Sequence, residues 1–234
     1  MPERSFFISV MSADSIAIPV PAATAKLTLT GEHAGRDVTL VTVLPMAYPA
    51  LVRTDGSILV ADGLRNTRIV KLDKDGKYLS EWGTRGNGPG QFSGLHGIDA
   101  DRNGRVYVAD RGNNRIQVFD NNLTLRAIYD HVGQPWTLCI TPGPHQYLYS
   151  SNSFPDNNNS VVAPWTGEIY KMELDGTVVG KFGKAGKQLK EFATTHGIDC
   201  RNENELLISE ITSWRVQKIV LHPTQAARPA ASSK

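Results

Sequence analysis

Cysteine is scarce in this chain, with two in 234 residues. That excludes a cysteine-rich disulfide scaffold, and the separation of Cys139 from Cys200 matches no CxxC zinc or redox motif. Whether the two join in a disulfide or remain small buried hydrophobes is open at the level of sequence. Long apolar runs are missing as well, so no membrane-spanning helix is expected. Neither sign of charge dominates: 25 Lys and Arg against 23 Asp and Glu leave a formal charge of +2. These charges are spread along the chain, which argues against a nucleic-acid-binding face. The densest basic stretch, Lys181, Lys184, Lys187 and Lys190, reads as a solvated loop. With 40% hydrophobic and 21% charged residues, the chain has the composition of a soluble globular protein.

What the sequence does have is self-similarity. HGIDADRNGRVYVADRGNNRIQVFD runs from His96 to Asp120, and HGIDCRNENELLISEITSWRVQKIV from His196 to Val220, an offset of one hundred residues. The linkers repeat at the same offset, DGKYLSEWGTRGNGPGQF from Asp75 to Phe92 against DGTVVGKFGKAGKQLKEF from Asp175 to Phe192. Looser copies fill the gaps, so four units start near Tyr48, Leu95, Pro135 and Thr195. Periods of roughly 40 to 50 residues with turn punctuation indicate propellers or solenoids. Within a unit, Val106 and Val108 alternate with Tyr107 and Ala109, the period of short strands. Gly, Asn and Asp clusters such as Asp101 to Gly104 separate the strands with turns. The expectation is an all-β chain whose units are blades of a β-propeller.

The core DRNGRVYVADRGNNRI, and more loosely TDGSILVADGLRNTRI, resembles the NHL repeat. With the Trp-Gly to Gln-Phe linker from Trp82 to Phe92, it is similar to the six-bladed propeller of peptidyl-α-hydroxyglycine α-amidating lyase and its bacterial relatives. The resemblance covers residues 48–223 and implies a zinc ion held by histidines from alternate blades, calcium as a further cofactor, and a periplasmic or extracellular location. It also implies that the chain is N-terminally incomplete relative to that family.

The innermost-strand slot reads Ala50, His96, Trp136, His196 in successive units. Alternate blades would bring His96 and His196 to one axial ion, and three imidazoles with an open fourth position are the ligand set of a catalytic zinc. Only two are present, since no NHL pattern follows His33. Replacing either by alanine is expected to reduce metal binding while barely changing stability. Arg111 stands where the resemblance places a substrate-contacting arginine, and its rigid fork of donors suits holding a carboxylate or polarising a hydroxyl. Its alternative role is a turn arginine paired with a neighbouring acid. The tyrosine that the resemblance expects after Asp62-Gly63 is Leu64, which cannot transfer a proton. Asp62 with Arg68, Asp110 with Arg115, and Glu210 with Arg215 recur in every clear unit and read as ties between second and third strands. Trp82 reads as a linker anchor, and Trp136 as a core filler or a wall of the axial cavity.

Three regions follow: residues 1–47 with a hairpin or partial blade over Lys26 to Leu44, the propeller over 48–223, and a disordered tail over 224–234. FFISVM is too short for a firm signal-peptide core. The favoured closure is an incomplete ring of four to five blades, the alternative a five-bladed ring closed by strands from 16–47. The loop from Ser151 to Glu168 is expected at the surface. Two function classes result. One is a propeller binding a small molecule or peptide at its axis, or a protein partner or second copy through open blade edges, with impaired catalysis. The other is a zinc-dependent lyase releasing glyoxylate and a peptide amide.

Overall fold

The computed structural model describes residues 4–6, 32–33, 36–37, 50–63, 66–153, 166–211 and 213–221. Leu64, most of the insertion after Ser153, and the tail beyond Leu221 lie outside them, as does most of the stretch before Ala50. The described residues form antiparallel sheets joined by turns, a two-residue parallel pair of Thr84–Arg85 with Gln91–Phe92 in the linker, and one short 3-10 segment at Arg111–Asn113. No helix among them is long and apolar enough to cross a membrane.

Four sheets follow the repeats. The first blade comprises Ala50–Val52, Ile58–Asp62, Arg68–Leu72 and Tyr78–Trp82, with Arg4–Phe6 added beside Ala50–Val52. The second comprises Leu95–Ala100, Val106–Asp110, Arg115–Phe119 and Leu125–Tyr129. The third comprises Pro135–Ile140, Tyr147–Asn152, Glu168–Glu173 and Val178–Phe182. The fourth comprises Thr195–Asn202, Glu205–Glu210 and Arg215–Val220. A separate two-residue pair, Glu32–His33 with Arg36–Asp37, lies at the centre of the expected N-terminal hairpin; the flanking runs of that hairpin lie outside the described residues.

The second and third blades bury both faces of their inner strands, because each sheet is sandwiched between neighbours, whereas the fourth leaves Leu207 and Val216 exposed. Leu59 and Ile69 of the first blade pack with Leu95, Ile98 and Val108 of the second. Ile116 and Val118 pack with Leu138, Leu148 and Met172 of the third. Ile169 and Tyr149 pack with Ile198, Leu206 and Ile208 of the fourth. Burying side chains on both faces explains why a second strand such as Val106–Asp110 is apolar throughout and buried at every position, where a one-sided sheet would alternate.

The recurring acid–arginine pairs tie second and third strands, as their spacing suggests. Asp62–Arg68, Asp110–Arg115 and Glu210–Arg215 lie opposite one another in register and bond at 2.8, 2.7 and 2.6 Å. Arg115 further donates to the backbone oxygens of Asn87, Gly88 and Gln91, so the arginine also holds the linker. Arg215 repeats this on Lys187, Gln188 and Glu191.

The two cysteines form a disulfide, with Cα atoms 6.0 Å apart, across the innermost strands of the third and fourth blades. Spacing in sequence left this open; stacking of consecutive blades decides it, because Cys139 and Cys200 both face the same seam. Beside it, Asp99 ties the second blade to the third by accepting from the backbone N–H of Ile140 at 2.7 Å.

Candidate functional site

The innermost strands of the second, third and fourth blades each carry an irregularity at one level, where the register shifts between Leu95 and Gly97, between Pro135 and Leu138, and between Thr195 and Gly197. His96, Trp136 and His196 occupy these shifts. An extra residue in an innermost strand re-aims its side chain out of the pleat, and the three rings meet. His96 and His196 have ring centroids 4.7 Å apart, edge to face; Trp136 lies 4.7 Å from His96 and 5.7 Å from His196. Gly97 makes the approach feasible: a Cβ there would sit 3.0 Å from the Trp136 backbone oxygen.

The structure corrects one part of the expected slot. Ala50 lies opposite Val60, level with Ile98, Leu138 and Ile198, which lie opposite Val108, Ser150 and Ile208. It is therefore two residues past the histidine slot, and packs with Ile58, Val60 and Val70. Spacing along the chain carries the same offset: His96 and His196 stand 14 residues before Asp110 and Glu210, Ala50 only 12 before Asp62.

Arg111 opens the short turn after Asp110. Its guanidinium carbon lies 4.4 Å from the centroid of the Trp136 ring, a cation–π contact. The structure adds an aromatic platform that neither role weighed for it from sequence anticipated. Trp136 is thus a wall of the axial site, whereas Trp82 ends the outer strand of the first blade opposite Ile69.

His96 is buried and donates from Nδ1 to the backbone oxygen of Trp136 at 2.8 Å. The acceptor is a carbonyl, so Nδ1 carries the proton and the lone pair resides on Nε2. Burial pushes the His96 pKa down to about 3, helped by His196 and by the charge of Arg111 and opposed by the bond to Trp136. Burial and Arg111 lower the pKa of half-buried His196 as well. Near neutral pH the site is one guanidinium, two neutral imidazoles and an indole.

Sequence reading passed over a hydroxyl-rich wall. Ser150, Ser151, Asn152 and Ser153 are buried where the second blade has Val108, Ala109, Asp110 and Arg111. Ser153, at the level of Arg111, accepts from the backbone N–H of Thr195 at 3.0 Å. Trp136 Nε1, Thr137 Oγ1 and Thr195 Oγ1 are buried and have no hydrogen-bond partner among the described residues. The signal was available: four consecutive small polar residues ending a strand that must be buried on both faces.

The lyase resemblance implies zinc, and the donor set can be tested against it. His96 Nε2 has the right tautomer, and His196 stands beside it. Among the described residues, however, no group of three or more His, Cys, Asp or Glu side chains is placed to hold a metal ion. The ring of Trp136 and the cation of Arg111 occupy the neighbouring positions. Catalytic zinc needs three protein ligands, so these residues do not complete such a site.

Comparison with known proteins agrees with this architecture. Residues 92–119 match the NHL repeat, and residues 11–75 match a family of unknown function, DUF5926. NHL repeat-containing protein 3 of Homo sapiens is 31% identical over 200 residues, which are 80% of this chain and 53% of the relative. A probable peptidyl-alpha-hydroxyglycine alpha-amidating lyase of Caenorhabditis elegans is 39% identical over 77 residues, 31% of this chain and 22% of the relative. The chain thus spans about half the length of the first of these relatives and less of the second. A crystal structure of a protein of unknown function from Bacteroides caccae shares the fold, with a TM-score of 0.52 at 14% identity, covering 74% of this chain and 60% of that one. The chain is an NHL-repeat β-propeller related to NHL repeat-containing proteins and to amidating lyase domains.

Proposed function

We propose that the chain is a ligand-binding propeller whose axial site takes a small molecule or peptide bearing a carboxylate, with lyase catalysis impaired or absent. The observation that carries this reading is Arg111 held over Trp136, 4.4 Å from the ring centroid, beside two imidazoles whose pKa values are lowered. A fixed guanidinium with a stacked platform keeps its donors in one orientation, and neutral imidazoles add hydrogen bonds without competing for the anion. The indole N–H of Trp136, which has no partner among the described residues, is a donor only and needs an acceptor. Zinc and calcium are not required by this reading. The disulfide supports the periplasmic or extracellular location, because such bonds persist in oxidising compartments.

The alternative is a zinc-dependent peptidyl-α-hydroxyglycine lyase, favoured by the Nε2 lone pair of His96 and its neighbour His196. In that chemistry zinc acts as a Lewis acid. A third ligand from outside the described residues or from another chain would have to complete it. Leu64 at the position of the expected tyrosine argues for slow turnover even then, since a general base supplies about a hundred- to ten-thousand-fold.

The experiment is calorimetric titration with α-hydroxyhippurate, paired with a glyoxylate-release assay with and without added zinc. Saturable binding lost in Arg111→Ala, with glyoxylate at the background rate, supports the binding propeller. Turnover typical of an enzyme, abolished by Arg111→Ala, overturns it in favour of the lyase.

A further inference from the structure

The linkers into the second and fourth blades turn the chain in the same way with different residues. Gln91 N–H donates to the Gly88 oxygen at 3.1 Å, and Glu191 N–H to the Gln188 oxygen at 3.2 Å. The third residue of each turn holds positive φ, +75° at Gly90 and +64° at Lys190, and its N–H donates to Gln117 or Gln217 at 2.9 and 3.0 Å. The earlier turn carries Pro89-Gly90, the residues that such a backbone favours. The later one carries Leu189-Lys190. A second exchange lies beside it: Asn114 holds φ +54° in the short turn of the second blade, and Trp214 holds φ +48° at the corresponding place in the fourth. Asparagine tolerates left-handed backbone, whereas a bulky residue is strained there. Arg215, next to Trp214, donates to the backbone oxygens of Lys187, Gln188 and Glu191, so the two turns are joined.

Leu189 is 84% exposed and Trp214 77%. This exposure belongs to the positions themselves, because Pro89 and Asn114 are exposed too, although the second blade is flanked by the first and the third. The patch is therefore rim, not an uncovered blade face. Lys184, Lys187 and Lys190 of the same linker are all exposed. Lys184 pairs with Glu191, while Lys187 and Lys190 make no ion pair among the described residues. The basic stretch that reads in sequence as a solvated loop thus frames an apolar tip. Side chains that strain their own backbone, where other residues would not, cluster at functional surfaces. A turn tip offers no strand edge and no groove to a polypeptide. A protruding leucine and tryptophan framed by lysines match a peripheral membrane site, with apolar groups in the interface and cations at the headgroups.

We propose that the turns carrying Leu189, Lys190 and Trp214 form a docking site for an anionic lipid surface. Leu189 and the Trp214 indole enter the interface between headgroups and acyl chains, the depth at which tryptophan is enriched. Lys187 and Lys190 meet the headgroup phosphates, each strengthening binding about fivefold. Crossing a membrane needs a long apolar run, but docking on its surface needs only such a tip with cations around it. Trp214 belongs to the turn that in the second blade carries Arg111, so a docked chain presents the axial-site end of its blades to the lipid. Docking does not depend on what the axial site binds.

The test is co-sedimentation of the full chain with vesicles of phosphatidylcholine, alone or mixed with phosphatidylglycerol. Binding to the mixed vesicles should be at least roughly tenfold tighter than to the neutral ones, and should weaken as much in about 1 M salt, where the screening length falls to about 3 Å. Leu189→Pro, Lys190→Gly and Trp214→Asn together install the residues of the second blade. Glycine and asparagine relieve the left-handed backbone, so this triple variant should melt at or above the parent temperature yet bind mixed vesicles at least roughly tenfold more weakly. That pairing separates lost docking from lost folding. Lys187→Gln alone should weaken binding about fivefold with unchanged melting. Three results would overturn the proposal: no binding to mixed vesicles, equal binding to both kinds, or full binding by the triple variant. Self-association of the parent that the triple variant lacks, without vesicle binding, would assign the patch to a second copy instead.

Discussion

His96 donates from Nδ1 to the backbone oxygen of Trp136, 2.8 Å away, across the seam between the second and third blades. One bond thus joins adjacent blades and sets the tautomer of an axial imidazole.

Because of this bond, the two histidines should differ in stability. His96→Ala removes a buried side chain and strands a carbonyl, which costs about 1–3 kcal/mol. His196 is only half-buried, and His196→Ala should cost less than about 1 kcal/mol. This replaces the sequence-based expectation that both substitutions leave stability nearly unchanged. Urea unfolding of both variants checks it; equal midpoints would show that the seam bond contributes nothing.

Acid should destabilise the fold through the same residue. The folded-state pKa of His96 is about 3, below the ordinary value near 6.5, so the unfolded chain binds the proton more readily. The stabilising contribution is complete above about pH 6.5 and is lost as pH falls toward 3, by up to about 1.4 kcal/mol per unit. Thermal melts in chelator between pH 7.5 and 4 read the slope, and His96→Gln should flatten it. An unchanged slope in that variant would assign the effect to other groups.

Breaking the seam between the third and fourth blades should be costly. The disulfide closes a loop with a sequence separation of 61, for which loop-closure entropy gives about 4 kcal/mol. The double variant Cys139→Ser, Cys200→Ser should melt roughly 8–16 °C below the parent for a chain of this length. Reductant should lower the parent to the same temperature. A parent insensitive to reductant once unfolded and refolded would count against the bond.

Asp110 should be the most sensitive of the strand-tying acids. Its side chain is fully buried and accepts from Arg115, Asn113 and the backbone N–H of Ser93. Asp110→Ala leaves a nearly buried guanidinium without its carboxylate, which costs about 3–5 kcal/mol. Asp62→Ala should cost less, because Arg68 is more exposed and also pairs with Glu81. Chemical denaturation of the two variants side by side decides the order.

The repeat carried most of the fold. Four unit starts read from Tyr48, Leu95, Pro135 and Thr195 correspond to innermost strands beginning at Ala50, Leu95, Pro135 and Thr195, because each blade's turns and acid–arginine pair are local signals. The axial site was partly legible. His96, His196 and Arg111 were marked by their repeated or family-like positions, and the structure places them together around Trp136. Thr195 was passed over because a single hydroxyl carries no spacing rule, whereas Ser153 belongs to a polar run that was legible, and Ala50 was misplaced although it stands 12 residues before Asp62 where His96 stands 14 before Asp110.

By itself the sequence determined what is periodic: an all-β chain, four blades, and the acid–arginine ties, since strands, turns and in-register pairs depend on residues close in sequence. Only the tertiary structure decided what depends on how blades stack. Stacking joined Cys139 to Cys200, laid Arg111 over Trp136, and buried His96 enough to hold it neutral. It also left Val216 uncovered where Ile116 is buried. Contacts between residues 25 to 100 positions apart are set by the rotation and register of one sheet against the next, and no local pattern encodes them.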